Sequence, residues 1–102
     1  MIPKNRAPTH PGEMLLEEFL KPIGMTQEHF ADHLGWTYAK LNELIHGKRG
    51  ITPETALDLG DVFKMEPDFW MNLQKNCDLY KAKQQHKRVK YLGKKMLSLS
   101  SV

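Results

Sequence analysis

Hydrophobic residues recur at helical spacing in five stretches of the chain, and no run shows the strict alternation that marks a strand. Met14, Leu15, Phe19 and Leu20 form an apolar stripe behind Pro11, with Thr9 or His10 as cap, and this first helix should end at Lys21-Pro22. Thr26 caps a short second helix whose inner face is Phe30, Ala31 and Leu34, closed by Gly35. Thr37 caps a third with Leu41, Leu44 and Ile45 on one side, closed by Gly47. Thr52-Pro53 opens a fourth that runs roughly to Lys64 and buries Ala56, Leu57, Leu59 or Val62, and Phe63. Glu66-Pro67 opens a fifth that holds Phe69, Trp70, Leu73, Cys77 and Tyr80. The pattern predicts an all-α fold: residues 1–8 as an N-terminal arm, 9–80 as one domain, and 81–102 as a tail. In the tail the weak spacing of Val89, Leu92 and Met96 is interrupted by Gly93, and helix could continue only near its start.

Length sharpens this picture, because 102 residues support one hydrophobic core and leave no room for a second domain. Neither a signal-peptide core near Met1 nor an apolar run of bilayer length is present, so a soluble protein with no membrane partner is expected. Cys77 is the lone cysteine, which fits a reducing cytoplasm and supplies no zinc framework. The net charge of +3 conceals an asymmetry: residues 1–78 carry 8 Lys/Arg against 12 Asp/Glu, whereas residues 79–102 carry 7 against none. Any nucleic-acid affinity of the domain must therefore come from a local arrangement of cations.

Such an arrangement is centred on Gln27 to Ile45. Two helices joined by a tight turn need a small residue where they approach, here Ala31, and a residue of positive φ in the turn, here Gly35. Phe30, Leu34, Trp36, Leu41 and Leu44 are the apolar positions that would hold them at a fixed angle. A helical hairpin in a plain bundle would explain this inner face but not the outer one. There Ala39, Asn42, Glu43 and His46 point outward with Tyr38 and Lys40 on the flanks, short or hydrogen-bonding groups suited to a DNA groove where a solubilising face usually carries Glu/Lys pairs. One helix before and two after complete the five-helix, phage-repressor-like (lambda-repressor-like) setting of a helix-turn-helix.

Three ordered blocks carry a resemblance to a known family: Thr9-His10-Pro11-Gly12-Glu13-Met14-Leu15, the segment from His46 to Leu57, and Pro67-Asp68-Phe69-Trp70-Met71-Asn72-Leu73-Gln74. Over about residues 9–80 the chain resembles the HigA antitoxin family, also called VapI. It departs from the family at Cys77, where an aromatic residue is usual, and in its basic extension. The resemblance implies a homodimeric Xre-type transcription factor that represses its own operon at a palindromic operator and neutralises an RNase toxin, HigB, of the RelE-like class. Two rival readings are a regulator of the same fold without a toxin, and a toxin-masking module whose helix-turn-helix is vestigial.

Thr37, Tyr38 and Ala39 begin the recognition helix and are the first candidates for base contact, with Thr37 also a plain cap. Ala39 suits a thymine methyl and Asn42 an adenine, while Glu43 suits a cytosine amino group or a pairing with Lys40. Gln27, Lys40, Lys48 and Arg49 are candidates for phosphate contact. Trp36 is expected in packing. Phe69, Trp70, Leu73 and Cys77 are expected at a dimer interface, Phe69 and Trp70 having the monomer core as their alternative. Lys81, Lys83, Lys87, Arg88 and Lys90 suit a phosphate backbone or an acidic partner, or else form a solvated end. His29 and His33 have the four-residue spacing of a zinc pair without a third ligand or adjacent glutamate. No nucleophile motif or glycine-rich phosphate loop appears, so neither an enzyme nor a cofactor is expected.

Overall fold

Helix α1 starts where the chain supplies a proline and a cap together. The computed structural model describes residues 7–93, and in it the His10 imidazole accepts a hydrogen bond from the Gly12 N–H at 2.9 Å, with Pro11 at the first helical position. α1 consists of Pro11–Met14, a π-helical stretch Leu15–Leu20, and Lys21–Ile23 in unbroken succession. It therefore passes Lys21-Pro22, where the sequence pattern places its end. The Lys21 N–H reaches the Leu16 carbonyl, five residues back. Pro22 thus enters a ladder already out of α register, where its missing N–H and bulky ring disturb less. Gly24, at φ +68°, ends the helix: its N–H bonds the Lys21 carbonyl, and the Met25 N–H the Leu20 carbonyl.

Four further helices follow: α2 Gln27–Leu34, α3 Tyr38–Ile45, α4 Pro53–Phe63 and α5 Pro67–Gln85. The described residues contain no strand. Thr26, Thr37 and Thr52 cap α2, α3 and α4, each hydroxyl accepting an N–H three residues on at 3.1–3.3 Å. Such a cap is worth about 1 kcal/mol.

The helices enclose Leu15, Leu20, Phe30, Leu41, Leu44, Leu59 and Trp70, all fully buried. Around Trp70 the rings of Phe19, Phe63 and Phe69 lie with centroids 5.1–6.3 Å away. The Trp70 indole N–H is buried with no acceptor, which costs about 1–3 kcal/mol. Burial of an indole of 150–250 Å² contributes roughly 4–6 kcal/mol, so the ring stays in. α1 meets the end of α3 through Gly12, where an added Cβ would stand 1.8 Å from the Leu44 carbonyl oxygen. Any larger residue there forces two backbones apart.

Three expectations are corrected. Leu57 is 56% exposed, because the buried face of α4 is Thr55, Ala56, Leu59 and Gly60, and position 57 lies about 200° around the helix from Leu59. α5 continues five residues past Tyr80: Lys81-Ala82-Lys83-Gln84-Gln85 are all good helix formers, and intrinsic propensity carries the helix on after its apolar stripe has faded. Of the four residues assigned to a dimer surface, Trp70 and Cys77 are buried within their own chain, Cys77 beside the carbonyls of Pro8 and Thr9. Phe69 and Leu73 pack half-buried against the core. Val89 and Leu92 are exposed, while Met96, the end of the tail and residues 1–6 of the arm lie outside the described residues.

The His10 cap has a pH consequence. Burial lowers the imidazole pKa below its usual 6.5 and nearby Lys81 adds to this, against smaller opposing effects of Asp78 and Glu13. The unfolded chain therefore takes up the proton first as pH falls, so the cap's contribution is complete above 6.5 and lost as pH drops through the folded value. We expect the urea midpoint to fall between pH 7.5 and 5.5 by more in the native chain than in His10→Asn, which keeps a capping acceptor without the titration. Equal pH slopes for the two proteins would contradict this role for His10.

Candidate nucleic-acid interface

The geometry of α2 and α3 is set by the turn between them. Gly35, at φ +74°, lets the Trp36 N–H return to the Ala31 carbonyl at 2.9 Å, while the Gly35 N–H bonds the Asp32 carbonyl. Trp36 packs edge-on against Phe30, centroids 6.4 Å apart. Its indole N–H donates to Asp58 Oδ2 on α4 at 2.9 Å. The turn is thus tied to a third helix across 22 residues of sequence, a contact that no local pattern reveals. Lys40 lies over the indole, its ammonium 4.3 Å from the ring centroid.

The apolar side of α3 is consumed by the core, Leu41 and Leu44 being fully buried. What remains outward is Thr37, Tyr38 and Ala39 at its first turn, all exposed, then Lys40, Asn42, Glu43 and His46. Thr37 is the cap, its hydroxyl accepting the Lys40 N–H at 3.1 Å. Asn42 Nδ2 donates to Gln27 Oε1 at 3.4 Å, which joins the start of α2 to the middle of α3. A cleft of about 310 Å³ between Thr26, Gln27, Glu28 and Tyr38 lies beside this bridge. The His46 imidazole Nδ1 meets the Asn42 carbonyl at 2.8 Å.

The two expected cations beyond α3 sit in the exposed loop that follows it. Arg49 binds Glu43 through Nε at 3.1 Å and a terminal nitrogen at 2.8 Å, so the partner of Glu43 is Arg49 and not Lys40. Both side chains are close to half exposed, and such a pair is worth about 0–1 kcal/mol. It can be exchanged for a phosphate contact at little cost. The structure therefore gathers Gln27, Thr37, Tyr38, Ala39, Lys40, Asn42, Glu43, Lys48 and Arg49 on two helices and one loop. Asp58 and His46, missed as supports, hold that surface from behind and from its far end. His29 and His33 are exposed on α2, and among the described residues no group of three or more His, Cys, Asp or Glu is placed to hold a metal ion.

A family model described as "Helix-turn-helix" matches residues 16–70. Virulence-associated protein I of Dichelobacter nodosus is 42% identical over 82 residues, covering 79% of this chain and 76% of that protein. Antitoxin HigA-1 of Vibrio cholerae is 36% identical over 75 residues, covering 74% and 70%. The chain belongs to the HigA/VapI family of helix-turn-helix proteins. Among solved structures of this family, the Pseudomonas aeruginosa antitoxin HigA with the higBA promoter superposes with a TM-score of 0.77 at 33% identity, over 84% of this chain and 99% of that one. No helix among the described residues is long and apolar enough to cross a membrane.

The tie between Trp36 and Asp58 generates a prediction. Asp58→Ala removes a charged acceptor from a part-buried indole and should cost about 1.5–3 kcal/mol of stability, whereas Asp58→Asn, which keeps an acceptor, should cost less. Thermal unfolding of the three proteins measures this; equal melting temperatures would show that packing alone holds the turn.

Proposed function

We propose that this protein is a sequence-specific repressor that binds the operator of its own operon as a homodimer and serves as the antitoxin of a HigBA-like type II pair, neutralising an RNase toxin of the RelE-like class. One observation carries the DNA-binding part: the first turn of α3 presents Thr37, Tyr38 and Ala39 to solvent while the opposite side of the same helix is fully spent in the core. A helix placed only to fill a bundle has no need of this exposed set of small and hydrogen-bonding groups. The relatives support the reading, since one is an antitoxin by name and another was solved with promoter DNA.

In this mechanism the start of α3 enters the major groove. Ala39 meets a thymine methyl, Asn42 bonds an adenine edge, and Glu43 accepts from a cytosine amino group once Arg49 turns to the backbone. Gln27 does two things, steadying Asn42 and reaching a phosphate at the start of α2, while Lys40 and Lys48 add phosphate contacts that set register. The exposed Lys81, Lys83, Lys87, Arg88 and Lys90 extend the cationic surface without adding sequence information. The protein acts by binding, in the cytoplasm where operator and toxin are found.

Asn42→Ala should weaken binding to the gene's own upstream region by about 1–3 kcal/mol, roughly 5- to 150-fold, and relax preference at one base pair. Lys48→Ala should weaken specific and unrelated DNA to a similar degree. Gel-shift titrations with folded variants decide the matter, and unchanged affinity for both would remove α3 from the interface. Co-purification with the product of the neighbouring gene separates the antitoxin from a toxin-free regulator.

A further inference from the structure

The stripe of α5 that faces away from Trp70 and Cys77 lines an open groove of about 440 Å³, formed by Met71, Gln74, Lys75, Asp78, Leu79 and Ala82 over Ile51. Leu79 is 48% exposed there, and Gln74 closes the floor by accepting the Ile51 N–H at 2.7 Å and donating to Asp78 Oδ1 at 2.9 Å. The six helix positions mirror one another about the point between Asn76 and Cys77, close to the midpoint of Pro67–Gln85. Reflection through it exchanges Met71 with Ala82, Gln74 with Leu79, and Lys75 with Asp78.

We propose that this groove is the face on which a second copy of the chain docks, with the two α5 helices antiparallel across a two-fold axis. This rests on the homodimer reading and names its surface. A two-fold contact must be self-complementary, and this stripe is. Met71 of one copy packs on Ala82 of the other, Leu79 covers the aliphatic part of Gln74, and the central Lys75 faces Asp78 twice, once from each copy.

Charge selects the direction. α5 opens with Glu66 and Asp68 and closes with Lys81 and Lys83, followed by Lys87 and Arg88. Antiparallel pairing lays the acidic start of each helix against the basic end of the other, whereas parallel pairing would set cation against cation. Ile51 stands two residues after Arg49, so the same contact ties the dimer to the loop that leaves the recognition helix.

The experiment is light scattering over a concentration series for the full chain, Lys75→Asp, Asp78→Lys, the Lys75→Asp/Asp78→Lys double variant and Leu79→Glu, with circular dichroism to confirm folding. Each single charge reversal sets like charges opposite one another and should raise the dimer dissociation constant by roughly tenfold or more. The double variant restores both pairs and should return towards native strength, which general damage to the fold would not allow. Leu79→Glu should give a folded monomer. A native chain that is monomeric at 100-fold or more above the concentration used for operator binding defeats the homodimer reading itself. A native dimer that survives Lys75→Asp and Leu79→Glu unchanged defeats this face alone, and that is also the result expected if a different protein occupies the groove.

Discussion

The position of the recognition helix depends on one close approach, that of Gly12 on α1 to the Leu44 carbonyl on α3. Hydrogen is the only substituent that fits between these backbones, and the seat fixes α3 at its C-terminal end. Its N-terminal end is fixed independently, by Trp36 packed on Phe30 and bonded to Asp58. Two anchors, one at each end, leave α3 little freedom to tilt. That matters for reading bases, because a side chain misplaced by an ångström loses the bidentate geometry on which discrimination relies.

Electrostatics works with this rigidity. The helical body has more acids than bases, so no general field draws it to nucleic acid, and its interface cations are held in weak local contacts: Arg49 on Glu43, Lys40 over Trp36. Such contacts keep long side chains near their places of use and release them cheaply. The basic end of α5 and the segment after it supply the unmatched charge, and in an antiparallel dimer the two ends would project from opposite sides of the axis.

Where structure is governed by local rules, the sequence was readable. Threonine caps, the glycines that end α1, α2 and α3, and the apolar stripes of α2 and α3 all announce themselves within a few residues, and with them the helix-turn-helix and its outward residues. Failures arose where a distant or opposing influence prevailed. The π-helical stretch of α1 carries the chain past Pro22, which a local rule treats as a stop. Leu57 reads as core by type but sits on the wrong side of α4. On α5, hydrophobicity pointed to the stripe of Trp70 and Cys77 as a dimer surface, yet that stripe is the one the monomer buries. The self-complementary stripe is more polar and becomes visible only once the groove over Ile51 is formed. The link from Asp58 to Trp36 spans too much sequence for any periodicity to expose.

The central claim is that DNA is read by a rigid α3 through the outward residues of its first turns. A titration of isotopically labelled protein with its own upstream DNA, followed by amide and side-chain NMR shifts, tests this most directly. The account predicts the largest changes at Gln27, at Thr37 to Glu43 and at Lys48 and Arg49, with the buried contacts of Trp36 and Gly12 little altered. Changes concentrated on the outer face of α4 around Leu57, with α3 silent, would contradict it.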